Sequence, residues 1–230
     1  SVEGIILAGE YHWTGSRFEE LRPRPLLPVA QTALVEHVLS WMCQGGVHDT
    51  TICANGSTSA LRAYLKDGRQ FSMALYYYED GTPRGAAGCV KDAAVRSNAQ
   101  TLIVADGASI PVVDLSQLVA QHRRTGAALT IVAHRRESRS DGTPLLHPAG
   151  VYVFEREILE AIPAISFQDI KENLIPKLHR DGHRVEVYPV AELSPRVLNA
   201  DSYLAINHWM IARLTLAAES NRSSTDSGSG

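Results

Sequence analysis

The chain has 230 residues, with 22 Lys and Arg against 25 Asp and Glu and a formal net charge of −3. Its 44% apolar and 20% charged content excludes a disordered chain, and the charge balance supplies no basic stripe for nucleic acid. No apolar run approaches the ~20 residues that cross a bilayer, and no basic-then-apolar leader opens the chain, so the expectation is a cytoplasmic protein without membrane partners.

The first apolar run, residues 4–8 (GIILA), reads as a buried strand that enters Gly9 and a long loop. Pro23-Arg24-Pro25-Leu26-Leu27-Pro28-Val29 closes that loop. Residues 32–43 place Leu34, Val38, Leu39 and Met42 on one helical face, with Thr32 as a cap and Gly45-Gly46 as the stop. A short strand at 50–54 leads through Asn55-Gly56-Ser57 to a helix at 58–65, and the aromatic run at 72–78 reads as a third strand packed in a sheet. Pro83 to Gly88 is a turn before a helix at 89–96. Residues 101–105 form the fourth strand and 115–124 an amphipathic helix.

Further strands fall at 128–133 and 149–154, joined by a solvated hairpin, with a helix at 168–179, a strand at 184–190 and a closing helix at 201–218. The polar stretch 219–230 reads as a disordered tail or linker, leaving 1–218 as a single domain. Short apolar strands alternating with helices predict an α/β domain with a mostly parallel sheet covered on both faces. Ligands of such sheets bind beyond the carboxyl ends of the strands. Three widely spaced cysteines, Cys43, Cys53 and Cys89, read as free thiols. His179 and His183 straddle the turn Asp181-Gly182, a poor arrangement for a metal.

Residues 5–29 resemble the opening of the sugar-phosphate nucleotidyltransferases, which join a sugar 1-phosphate to a nucleotide. Four later segments fit the same family in order: Pro83 to Gly88, Ile103 to Ala108, Pro148 to Phe154 and Asp169 to Leu178, with Ser202-Tyr203-Leu204 opening the last helix. The resemblance implies the nucleotide-diphospho-sugar transferase fold, a three-layer, Rossmann-like, mixed but mostly parallel sheet with helices on both faces. It also implies a nucleotide-binding pocket at Leu7, Ala8, Gly9, Gly85 and Ala87.

The chemistry-bearing positions depart from that pattern. Glu10, His12, Trp13 and Thr14 stand where the family has a glycine-rich phosphate loop ending in arginine, and Arg24 replaces its lysine. Bare backbone is needed for N–H groups to reach phosphate oxygens. Glu10 adds a like charge beside a polyanion, worth on the order of a kcal/mol in a partly buried site. The family's Mg²⁺ carboxylates fall at Ala108, or at Asp106 after a register shift, and near Pro195; alanine and proline supply no oxygen ligand.

These substitutions lead to the expectation of a domain that has lost catalysis and needs no cofactor, with a regulatory or scaffolding role in sugar-nucleotide or polysaccharide metabolism. A homo-oligomer or an active paralogous subunit would be its partner. One alternative is an active sugar-1-phosphate nucleotidyltransferase with a displaced site built on Arg17, Arg24 and Asp106, using Mg²⁺. Another is a sensor of nucleotides or nucleoside-diphosphate sugars.

Overall fold

The computed structural model describes residues 1–9, 22–79, 81–137, 144–192 and 194–226. Seven strands form the main sheet. They are β1 (Val2–Leu7), β4 (Asp49–Cys53), β5 (Ala74–Tyr78), β6 (Thr101–Asp106), β7 (Leu129–Glu137), β8 (Pro144–Glu155) and β9 (Val185–Val190). Their order is β5-β4-β1-β6-β8-β7-β9. Only β8 runs against the others: it is antiparallel to β6 and β7, while the remaining neighbours pair in parallel. The mixed, mostly parallel sheet expected from the sequence is therefore present. Two short strands, β2 (Pro28–Val29) and β3 (Thr32–Ala33), make a separate antiparallel ribbon.

Consecutive residues in a strand point to opposite faces, and here both faces are apolar. Ile6, Ile103 and Ala105 pack beneath α1 (Leu34–Gln44), α2 (Thr58–Leu65) and α4 (Leu115–Thr125). Their neighbours Ile5, Leu102 and Val104 pack on the other face, beneath α3 (Gly85–Ala93) and α5 (Ile175–Arg180). Three layers result. A third cluster, with Leu27, Val29, Ala108, Val197 and Ile206, seats the closing helix α6 (Ala200–Asp226) against the ribbon.

Several local boundaries differ from the sequence reading. Thr32 sits in β3 rather than capping α1, and the Glu36 carboxylate instead accepts the Ala33 N–H at 3.1 Å. The expected turn at Pro83 to Gly88 is partly the first turn of α3, because its small residues can wind against the sheet. The helix expected at 168–179 begins as a π-helical turn, Ile170–Leu174, capped by Asp169, whose Oδ1 accepts from the Lys171 and Glu172 amides. The closing helix continues to Asp226 instead of stopping at 218, since no Gly or Pro interrupts it. β7 and β8 pair antiparallel out to Glu137 opposite Pro144, and the hairpin's connecting residues 138–143 lie outside the described residues. Among the described residues no helix is long and apolar enough to cross a membrane.

Candidate functional site

The carboxyl ends of β1, β4 and β6 converge on a cleft of about 380 Å³. Leu7 and Gly9 arrive from β1, Cys53 and Asn55 from β4, and Asp106 is the last residue of β6. Gly85, Ala86 and Cys89 of α3 form one wall, and Pro148, Gly150 and Tyr152 of β8 form another. Phe167, Asp169, Ile170 and Lys171 close a third side, and Arg196 completes the lining.

Two glycines set the shape. Gly85 has φ +72, and a Cβ there would lie 2.5 Å from the Gln168 backbone oxygen. This close approach lets the Ala87 N–H donate to the Gln168 carbonyl at 2.9 Å while the Gln168 N–H donates to the Arg84 carbonyl at 2.7 Å. Arg84 reinforces the junction: its guanidinium donates to the Pro163 and Ala164 carbonyls and pairs with Asp92 at 3.0 Å. Lys91 donates to the Ile162 carbonyl at 2.6 Å. The segment 162–168 is thus tied to α3, and it carries Phe167 to the cleft mouth, 61% exposed. Gly150, with φ +76, makes room on the opposite side; its Cβ would stand 2.9 Å from the Asp106 Cβ.

Asp106 is the carboxylate at the cleft floor. Its Oδ1 accepts the Ala108 N–H at 2.8 Å, and its Oδ2 pairs with Arg196 Nη2 at 2.5 Å. Arg196 is held by backbone on both sides, since the Ile110 N–H donates to the Pro195 carbonyl at 3.0 Å and the Val197 N–H to the Ala108 carbonyl at 2.8 Å. Ser109 and Arg196 form an isolated antiparallel bridge between them. Ala108, the position given by the unshifted motif alignment, is buried under α6 and does not line the cleft.

Of the expected nucleotide-binding residues, Leu7, Gly9 and Gly85 line the cleft. Ala8, after β1, and Ala87, on the sheet-facing side of α3, turn away from it into the two core layers, 2% and 0% exposed. Arg24 sits in a single 3₁₀ turn, 8% exposed, and is not among the lining residues. Glu10, His12, Trp13, Thr14 and Arg17 lie outside the described residues. Asn55, Phe167, Asp169, Lys171 and Arg196 escaped the sequence reading. Asn55 follows the second strand, whose loop the strand-end reading passed over, and Asp169 and Lys171 lie inside a segment that already resembled the family. No group of three or more His, Cys, Asp or Glu able to hold a metal occurs among the described residues.

The fold and the family resemblance agree with comparison against known proteins. Residues 3–142, more than half the chain, match the model of the nucleotidyl transferase family. The chain belongs to that family. It is 24% identical over 206 residues to a mannose-1-phosphate guanylyltransferase of Mycobacterium tuberculosis, covering 79% of this chain and 56% of the relative. It is 24% identical over 196 residues to a UTP–glucose-1-phosphate uridylyltransferase of a Synechocystis species, covering 70% and 50%. The chain therefore spans about half the length of these curated relatives. Among solved structures, HddC of Yersinia pseudotuberculosis complexed with GMP-PN superposes with a TM-score of 0.74 at 13% identity, over 90% of this chain and 99% of that one. That likeness is one of fold.

Proposed function

We propose that this nucleotidyltransferase-family domain is a sugar-1-phosphate nucleotidyltransferase rather than the silent domain that its motif substitutions alone suggest, and that its nucleotide is a guanine nucleotide. The observation that carries the reading is the cleft at the strand ends, which Asp106, Lys171 and Arg196 line. The unshifted motif register leaves alanine at the first carboxylate, whereas the shifted register gives Asp106, which lines the cleft. The relatives supply the reaction class. In that reaction a sugar phosphate oxygen attacks the α-phosphorus of the triphosphate and pyrophosphate leaves. Two polyanions must meet, so catalysis rests on positioning and charge neutralisation; Arg196, held by Asp106, provides a positioned positive charge and Lys171 an exposed one. Guanine is favoured by the Mycobacterium relative's guanylyl transfer and by the GMP-PN bound to HddC.

Pyrophosphate release from GTP with mannose 1-phosphate, measured with and without Mg²⁺ and compared with the other nucleoside triphosphates, tests the proposal. Turnover lost in Asp106→Asn is expected. No pyrophosphate from any triphosphate would refute it.

A second reading is a domain that binds nucleotides or nucleoside-diphosphate sugars without turnover. The placement of Arg24 favours it: the residue in the family lysine's position is buried away from the cleft lining. A thermal shift with GDP-mannose and no pyrophosphate from any triphosphate is its signature. Self-association, or pairing with an active paralogous subunit, belongs to the same proposal and is read by sedimentation equilibrium.

A further inference from the structure

The residues at the cleft floor do not fit the divalent metal that the family implies. A hard cation such as Mg²⁺ needs several oxygen ligands. Among the described residues the cleft is lined by two carboxylates, Asp106 and Asp169; Asp169 Oδ1 already accepts the Lys171 and Glu172 amides, and both oxygens of Asp106 are engaged. Asp106 Oδ1 accepts the Ala108 amide at 2.8 Å, and Oδ2 is bound to the Arg196 guanidinium at 2.5 Å. The position beside it on the facing segment, where a second carboxylate would complete a metal site, carries a cation. Arg196 is bridged to Ser109 and flanked by the two backbone hydrogen bonds of Pro195 and Val197, so its place is set by the fold. A metal entering there would have to displace a fixed guanidinium and would meet its charge.

We propose that Arg196, oriented by Asp106, is the phosphate-binding cation of the cleft and stands in place of a divalent metal, so that phosphorylated ligands bind without one. The chemistry suits the role. A guanidinium carries five N–H donors in a planar fork that matches phosphate oxygens, and it stays charged at any physiological pH. Asp106, 13% exposed, holds one edge of the fork at the floor, and the Arg196 side chain, 40% exposed, reaches the cleft. Asp106 is then a positioning residue, and its charge is spent on Arg196 rather than on a metal. Gly150 is part of the same device, since a side chain there would strike Asp106 at its Cβ and displace the pair. The ligand half of this inference rests on the proposed function; the metal half does not.

Two measurements separate them. In the first, Mn²⁺ alone is titrated into the protein and followed by electron paramagnetic resonance. Wild type is expected to take up no tightly held ion, and Arg196→Asp, which places a second carboxylate beside Asp106, is expected to gain a site. A Mn²⁺ site in wild type that disappears in Asp106→Asn overturns the inference. In the second, GDP and GDP-mannose are titrated calorimetrically in EDTA and in Mg²⁺. Affinities agreeing within about twofold between buffers, with a loss of about tenfold or more in Arg196→Ala and partial retention in Arg196→Lys, support it. Arg196→Lys keeps the charge and Asp106's partner, so it guards against a variant that merely unfolds. A tenfold or greater dependence on Mg²⁺ in wild type overturns it. Absence of binding in both buffers refutes the ligand half and the proposed function with it, while the Mn²⁺ titration still decides whether the pair excludes a metal.

Discussion

Gly85→Ala is the sharpest probe of how the cleft wall is built. Gly85 has φ +72, and its missing Cβ would lie 2.5 Å from the Gln168 carbonyl oxygen and 2.8 Å from the Gln168 carbonyl carbon. Alanine in the left-handed region costs about 1–2 kcal/mol from its own backbone. The contact with Gln168 is with backbone, which no rotamer change relieves, so the segment must move. Movement breaks the paired bonds Ala87 N–H to Gln168 and Gln168 N–H to Arg84, each worth roughly 1 kcal/mol net. The expected loss is about 3–4 kcal/mol in urea unfolding. Gly126→Ala supplies the control: its φ is +62 with nothing within 4 Å of the added carbon, so only the backbone cost of about 1–2 kcal/mol applies. A Gly85→Ala variant no less stable than Gly126→Ala would refute the close approach of α3 to Gln168.

Other outcomes follow from the same geometry. His122 is 1% exposed, with Nδ1 2.7 Å from the Thr130 hydroxyl and Nε2 3.0 Å from Glu155. Burial pushes its pKa below the usual value, partly opposed by Glu155. The unfolded chain then holds more proton just below its ordinary pKa of about 6.5, and stability falls as pH drops through that value, by at most about 1.4 kcal/mol per pH unit. Urea midpoints from pH 7.5 down to 5.5 measure the fall, and His122→Gln should flatten it. Phe154→Ala empties a fully buried site whose ring meets Tyr152 edge-to-face at 6.4 Å, with an expected loss of about 3–5 kcal/mol by circular dichroism melts. Lys171→Ala should weaken GDP binding by about 1 kcal/mol at low ionic strength. Calorimetry in high salt should show that difference shrinking, because Lys171 is exposed at the rim.

How much of this was legible in the sequence depends on how far apart the cooperating residues lie. The face Leu34, Val38, Leu39 and Met42 is buried as its spacing implied, because helical periodicity is local. The strands at 101–105 and 149–154 were legible for the same reason. Gly85 and Gly9 were found from short motifs, whereas the same motifs also nominated Ala8 and Ala87, which turn inward. A motif states which segment approaches the ligand, and the direction each side chain takes from its strand or helix decides which of its residues arrive.

The apolar alternation, the ordered glycines and prolines, and the family frame of this protein were determined by its sequence alone, since each rests on neighbours a few positions apart. The pairing of Asp106 with Arg196 was decided only by the tertiary structure. Ninety positions separate them, and counting along the chain placed the facing residue near Pro195 and left the carboxylate between Ala108 and, with a shifted register, Asp106. The bridge from Ser109 to Arg196 sets that register through backbone hydrogen bonds between distant segments. A shift of one or two residues there turns an expected metal ligand into the partner of a guanidinium.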